Sequence, residues 1–310
     1  MKAIVIEQYG GREQLVEREL ETPELKGDQV VIDMKATSIN PIDWKVREGY
    51  MKDNIPFEFP VILGWDAAGI IKEVGTEVKN FKVGDRVFAR PATTRWGTYA
   101  EEVVVDEPLL AHLPDNIPFE EAAAVPLAGL TAWQCLVDFA DIQEGDKVLI
   151  HAGSGGVGHY AIQIAKSFGA YVATTASGKN KDWVEELGPD LFIDYKEENF
   201  AEVLNDYDIV LDTLGGDIQS DSYKILKDGG RLVSITQPPK EEEAERHNVK
   251  AGFVFLDPKG EQLAELAKMM EKGKLTSVIG HRFDLSEEGL RQAHEVSESH
   301  HAKGKIVISI

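Results

Sequence analysis

The stretch Lys147-Val148-Leu149-Ile150-His151-Ala152-Gly153-Ser154-Gly155-Gly156-Val157-Gly158 constrains the fold more than any other. An apolar run over residues 147–152 ends in glycines. Ala161, Ile162, Ile164 and Ala165 then follow at helical spacing. Strand, tight turn and helix are predicted in that order. Gly153-x-Gly155-x-x-Gly158 has the spacing of a dinucleotide-binding turn. The first glycine permits the sharp turn, the second lets backbone approach a pyrophosphate, and the third lets helix pack close on strand. The helix N-terminus offers free N–H groups and about half a positive charge to phosphates. Gly153, Ser154, Gly155, Gly156, Val157 and Gly158 are therefore expected to contact a cofactor.

The rest of the chain divides around this turn. Residues 1–120 hold short apolar or alternating runs at 3–7, 30–36, 67–74, 86–89 and 99–105. Gly10-Gly11, Gly27-Asp28, Gly75 and Gly84-Asp85 punctuate them, as in a closed or sandwiched all-β unit. An alanine-rich helical stretch, 119–137, is broken at Pro126 and Gly129. Strands are then predicted at 147–152, 171–175, 191–194, 208–212 and 231–235. The helices between them lie at 157–168, 182–187, 200–204 and 218–226. This alternation implies a parallel sheet covered on both faces. A helix at 260–273 and a strand at 277–279 are expected to extend that sheet. A helix at 287–299 and a strand at 304–310 close the chain, the strand returning to the N-terminal unit. The charge run 240–246 reads as a solvated loop or frayed helix.

The 310 residues carry a net charge of −21. That argues against nucleic acid, which requires a basic footprint, and against an anionic membrane surface. A single cysteine, Cys135, excludes an intrachain disulfide and fits a reducing, cytoplasmic compartment. The N-terminus reads as too quickly polar for a signal peptide, and no apolar run approaches the roughly 20 residues of a membrane span.

NAD-binding folds place Asp or Glu at the tip of the second strand, against the ribose 2′-OH. Here that tip reads Thr175-Ala176-Ser177-Gly178-Lys179-Asn180-Lys181. No carboxylate stands in it, and Thr175, Ser177, Lys179 and Asn180 are expected on the cofactor. A hydroxyl, an ammonium and an amide suit a 2′-phosphate, which favours NADP over NAD.

Several motifs together resemble the medium-chain dehydrogenase/reductase superfamily, and within it the zinc-free quinone oxidoreductase branch that includes zeta-crystallin and the alkenal/enone oxidoreductases. They are Ser38-Ile39-Asn40-Pro41-Ile42-Asp43-Trp44-Lys45, Gly64-Trp65-Asp66-Ala67-Ala68-Gly69, Gly84-Asp85-Arg86-Val87, the glycine turn, and Gly304-Lys305-Ile306-Val307. The resemblance covers essentially the whole chain. It implies an α/β protein: a GroES-like β-barrel catalytic domain, 1–120 with 283–310, and a Rossmann doubly wound parallel-sheet domain, 121–282, that binds NADP. The active site is expected in the cleft between them, with 119–131 as the crossing. Zinc members hold the metal with a Cys, a Gly-His-Glu and a third ligand. The corresponding places here read Ile39-Asn40, Gly64-Trp65-Asp66 and Val125-Pro126-Leu127, so no metal site is expected. Nor is His294-Glu295 part of an H-E-x-x-H motif, because the fifth position is Glu298.

Without a Lewis acid to lower an alcohol's pKa, the substrate has to be electrophilic already, as quinones and α,β-unsaturated carbonyls are. Charge then develops on a carbonyl oxygen, which needs hydrogen-bond donors. Asn40 can donate through its amide, Asp43 can orient or relay a proton, and Tyr50 can face the substrate carbonyl. By resemblance, Lys45 is a cofactor contact and Thr131 bonds the nicotinamide ribose or a phosphate. In the same way Tyr195 lies near the adenine or 2′-phosphate, while Gly215, Phe253 and Phe255 flank the nicotinamide. Core packing is the alternative for the two phenylalanines. An NADPH-dependent quinone, enone or alkenal reductase is the leading expectation. A 2-enoyl-thioester reductase and a non-catalytic NADPH-binding sensor or structural protein are the alternatives. A homodimer through the Rossmann sheet edge is expected by resemblance.

Overall fold

The computed structural model describes every residue, Met1–Ile310. It contains two units, Met1–Leu130 with Pro258–Ile310, and Thr131–Asp257. No helix is long and apolar enough to cross a membrane.

The first unit opens with eight strands: β1 (Lys2–Ile6), β2 (Val16–Glu19), β3 (Gln29–Ile39), β4 (Val61–Ile62), β5 (Ala67–Val74), β6 (Arg86–Ala89), β7 (Glu102–Asp106) and β8 (Leu110–His112). The order β2-β1-β4 makes one small antiparallel sheet. β3 is long enough to pair with β5 along most of its length and with β7 over Gln29–Asp33. A helix, Pro41–Arg47, leaves the end of β3. Pro41 stands where a helix needs no N–H, and the Asp43 carboxylate accepts from the Asn40 backbone N–H at 2.9 Å. Both features are readable as a helix start in Asn40-Pro41-Ile42-Asp43.

The second unit is one parallel sheet. Its strands are β9 (Lys147–Ile150), β10 (Tyr171–Ala176), β11 (Leu191–Asp194), β12 (Tyr207–Asp212), β13 (Leu226–Ser234) and β14 (Lys250–Phe253), in the spatial order β11-β10-β9-β12-β13-β14. The order reverses at β9, so β9 and β12 lie at the centre. β12 is buried along its whole length, as expected of a strand covered on both faces. The helix Gly158–Ser167 follows the glycine turn as predicted. The run 240–246 contains an exposed helix, Glu241–Arg246.

The chain then returns to the first unit, and here the structure corrects the sequence reading. The helix Gly260–Glu271 packs on β8, not on the parallel sheet. Its buried residues Leu263, Leu266, Ala267 and Met270 form a stripe at helical spacing. A Cβ on Gly260 would collide with the carbonyl oxygen of Leu110, so only glycine lets the helix sit that close. The strand expected at 277–279 is β15 (Ile279–Asp284). It pairs with the C-terminal strand β16 (Lys305–Ser309) rather than with the parallel sheet. β16 pairs antiparallel with β3, Ile306 opposite Ile39 and Ile308 opposite Thr37. That is the return to the N-terminal unit expected for the last strand. Between β15 and β16 runs the helix Glu287–Glu298, capped by Ser286, whose Oγ accepts from Gly289 N at 3.0 Å. Its buried face is Leu290, Ala293, His294 and Ser297, which turns a histidine into the core.

Candidate functional site

In the second unit, the turn after β9 is held from behind by β10. The Thr175 carbonyl accepts from Gly153 N at 3.0 Å, and its Oγ1 accepts from Ala152 N at 3.2 Å. Ala152 adopts φ +50°, and its carbonyl accepts from Gly155 N at 2.9 Å. The three glycines of the motif have separate reasons. A Cβ on Gly153 would run into Thr174 Oγ1, and one on Gly158 into the Ala152 carbonyl. One on Gly155 would meet only the Ala152 carbonyl, at 3.2 Å. The protein's own packing thus demands Gly153 and Gly158. At Gly155 the open side is what a pyrophosphate needs, so the cradle fits a dinucleotide. Residues 154–157 are partly exposed.

Thr175 is an exception among the expected cofactor contacts. It is buried, and its hydroxyl bonds His151 Nδ1 at 3.1 Å as well as Ala152 N. It supports the turn from beneath instead of reaching past it. His151 also bonds Ser222 Oγ at 3.0 Å, while Ser222 donates to the Ile218 carbonyl. Ser222 therefore accepts from Nε2–H, and Nδ1 accepts from Thr175. Burial holds the imidazole neutral, its pKa lowered to about 4. At the end of β12, the buried Asp212 accepts from the backbone N–H groups of Leu214 and Gly215 at 2.9 and 2.8 Å. Its other oxygen takes Gln219 Nε2 and Ser234 Oγ at 2.9 and 2.8 Å. This carboxylate shapes the loop at Gly215, which adopts φ +75°.

Ser177 is 8% exposed and Lys179 lies free on the surface. Asn180 Oδ1 accepts from the Trp183 indole N–H at 3.2 Å. Tyr195, Phe253 and Phe255 are 56%, 39% and 57% exposed, which excludes core packing for the two phenylalanines. Thr131 is buried. The β10 tip itself carries no carboxylate, but Asp194, at the end of β11, stands level with Ala176. Its carboxylate lies where a Gly178 Cβ would project. Inspection of β10 alone misses an acid supplied by the neighbouring strand.

In the first unit, the predicted catalytic residues enter a buried polar network. Asp66 Oδ2 accepts from Ser38 Oγ at 2.5 Å and Asn40 Nδ2 at 2.7 Å, while Oδ1 accepts from Leu127 N at 2.7 Å. Lys305 Nζ donates to Asn40 Oδ1 at 2.6 Å and to the Ile39 carbonyl at 3.2 Å, and lies 3.6 Å from Asp66. Lysine can only donate, so it fixes which way the Asn40 amide faces. Burial pulls the Lys305 ammonium below the usual lysine range, against the upward pull of Asp66 and Asp43.

A second chain runs through Asp43. Its Oδ2 accepts from Tyr99 Oη at 2.7 Å; Tyr99 Oη lies 3.1 Å from His294 Nε2, and Arg47 donates to His294 Nδ1 at 2.9 Å. Arg47 also bonds Glu298 at 2.8 Å. Because Arg47 donates to Nδ1, the proton of His294 sits on Nε2 and points at Tyr99. Burial pushes the Asp43 carboxyl up to about 7, against the hydrogen bonds from Asn40 and Tyr99. Burial, with Arg47 beside it, lowers His294 to about 3.

Asp43 is fully buried, so the expectation of direct action becomes one of holding the Asn40 helix start. Asn40 is 2% exposed, with one amide N–H on Asp66. Tyr50 lies outside the network, 69% exposed and edge-on to Trp44 at 6.2 Å. Lys45 is exposed beside the Trp44 ring at 5.7 Å. Sequence reasoning missed Lys305, Tyr99 and His294 as network members. The one signal was a lysine inside the apolar run of β16, since a charge on a core strand needs a partner. No three His, Cys, Asp or Glu side chains converge as a metal-binding group.

Two family models match the chain: the alcohol dehydrogenase GroES-like domain over residues 26–115 and the zinc-binding dehydrogenase over residues 187–308. The NADPH-dependent alkenal/one oxidoreductase, chloroplastic, of Arabidopsis thaliana is 36% identical over 321 residues, covering 99% of this chain and 79% of that protein. The chloroplast envelope quinone oxidoreductase homolog of the same plant is 35% identical over 324 residues, covering 99% and 98%. The solved quinone oxidoreductase from Coxiella burnetii is similar over 100% of this chain and 99% of its own, at TM-score 0.90 and 36% identity.

Proposed function

Because this chain belongs to the medium-chain dehydrogenase/reductase family and is an NADPH-dependent reductase of enones and quinones, we propose that it works without a metal ion. The observation that carries this is Lys305. The places the family uses for zinc ligands hold Asn40 and Asp66, both engaged by a buried ammonium. A cation there repels a second cation, and the Asp66 oxygens already accept three hydrogen bonds, from Ser38, Asn40 and Leu127.

When bound, NADPH would supply a hydride for the alkene β-carbon or the quinone. The glycine turn with Ser154 and Val157 holds the pyrophosphate, and Ser177, Lys179 and Asn180 receive the 2′-phosphate. Tyr195 covers the adenine side. Gly215, Phe253 and Phe255 flank the nicotinamide, with Lys45 and Thr131 as further contacts. In the first unit, the second Nδ2–H of Asn40 donates to the substrate oxygen as it gains charge. Asp66, Lys305 and Asp43 position it. The exposed Tyr50 hydroxyl faces the substrate carbonyl as the candidate proton donor.

The test is loss of reduced-nicotinamide absorbance with a quinone, a short alkenal and a crotonyl thioester, each alone, before and after exhaustive chelation. Unchanged turnover after chelation is expected. Loss of activity that zinc restores, or oxidation of a plain alcohol, overturns the metal-free reading. We also propose a cytoplasmic homodimer. Its support is the single buried cysteine and the outer edge of β14, which ends the sheet. Light scattering tests the dimer; a monomer at micromolar concentration excludes it.

A further inference from the structure

We propose that Asp194 limits how strongly this enzyme prefers NADPH over NADH, and so sets its cofactor specificity. The proposal rests on the reading that residues 177–180 receive the 2′-phosphate. β10 ends at Ala176, level with Asp194 on β11. From there the Asp194 side chain reaches across the strand end to the turn, where a Cβ on Gly178 would collide with its Oδ2. Gly178 is not among the residues with positive φ. The glycine is therefore there for space and not for backbone freedom, and the carboxylate is what fills the space. Asp194 is held in that pose. Its Oδ1 accepts from Lys196 N at 3.0 Å, and its carbonyl accepts from Glu197 N and Glu198 N at 3.0 and 2.9 Å.

One turn thus carries groups suited to two ligands. Ser177, Lys179 and Asn180 donate to a phosphate dianion. A carboxylate repels that dianion, yet accepts from the free ribose hydroxyl that replaces it in NADH. Lys179 and Asp194 pull the preference in opposite directions. Asp194 comes from the strand next to the one that carries such an acid in NAD-specific folds, so the two positions converge on one place in space.

The experiment uses the full chain with Asp194→Asn and Asp194→Ser. Calorimetry measures binding of adenosine 2′,5′-bisphosphate and of 5′-AMP, and steady-state kinetics give kcat/KM for NADPH and NADH. Removing the carboxylate is expected to tighten the bisphosphate about tenfold, the scale of a unit charge facing a dianion through partly screened solvent. 5′-AMP is expected to be unchanged or weaker. The NADPH:NADH ratio of kcat/KM should rise by a similar factor. An unchanged ratio in both variants, or equal weakening of both nucleotides, overturns the proposal, since Asp194 would then only brace the turn. A wild-type enzyme that binds 5′-AMP and NADH better than their phosphorylated counterparts overturns the underlying NADPH reading instead.

Discussion

Replacing Lys305 by methionine removes the ammonium 3.6 Å from Asp66 inside the first unit, leaving the buried Arg90 as its remaining positive neighbour. Lys305 is 2% exposed and Asp66 fully buried, so neither charge has water to fall back on. Breaking a buried pair from one side costs about 3–5 kcal/mol, because the remaining charge stays desolvated. Three donors still reach Asp66, from Ser38, Asn40 and Leu127, which places Lys305→Met toward about 3 kcal/mol. Asp66→Asn strands the ammonium on Asn40 Oδ1 and the Ile39 carbonyl. With fewer partners left, its cost lies toward about 5 kcal/mol. The double variant strands neither member of the pair, and its cost falls to the lost hydrogen bonds, about 1–3 kcal/mol in sum. The coupling in the double-mutant cycle is therefore large and favourable, about 3 kcal/mol or more. Urea unfolding followed by tryptophan fluorescence gives the three differences. Additive single costs would refute the reasoning, since they would mean the two groups are solvated separately.

The glycine turn separates packing from binding. Gly155→Ala is expected to fold with nearly wild-type stability yet lose NADPH affinity at least about tenfold, because the new methyl meets the ligand and not the protein. Gly158→Ala, which collides with the Ala152 carbonyl, is expected to lose stability as well, by about 1–3 kcal/mol; thermal melts with calorimetric titration check both variants. Stability should also depend on pH through the buried groups. His151 and His294 have pKa values lowered to about 4 and about 3, against about 6.5 unfolded. Their contribution is present above about 6.5 and is lost as pH falls toward those values. His151→Gln should flatten part of that acid limb in urea titrations. Asp43 runs the other way: its carboxyl is raised to about 7, so its contribution is present below the ordinary carboxylate range and is lost as pH rises toward 7. Asp43→Asn should gain stability relative to wild type as pH rises through that window, and a flat difference would refute the assignment.

Much of the second unit was legible because its signals are local. Glycine spacing, a five-strand alternation and helix-forming runs each lie within a dozen residues, and a parallel sheet follows from them. β14 lacked such a signal, since Lys250-Ala251-Gly252-Phe253 has neither length nor alternation. The helix Gly260–Glu271 was readable as a helix but not in its destination: an apolar stripe says that something covers it, not what. The Thr175 hydroxyl looked like a cofactor donor in the linear chain, and only the fold shows it turned beneath the loop toward His151 and Ala152.

The amino-acid order alone determined the nucleotide-binding turn, the missing zinc ligands and the family, because each depends on residue identity at short fixed spacing. Tertiary structure decided the rest. Asn40 meets Lys305 across 265 positions because β16 pairs with β3. Asp194 reaches the Ser177 turn because parallel strands bring their ends level. A hydrogen bond acts over about 3 Å, so partners distant along the chain become chemistry only when the sheet register sets them side by side.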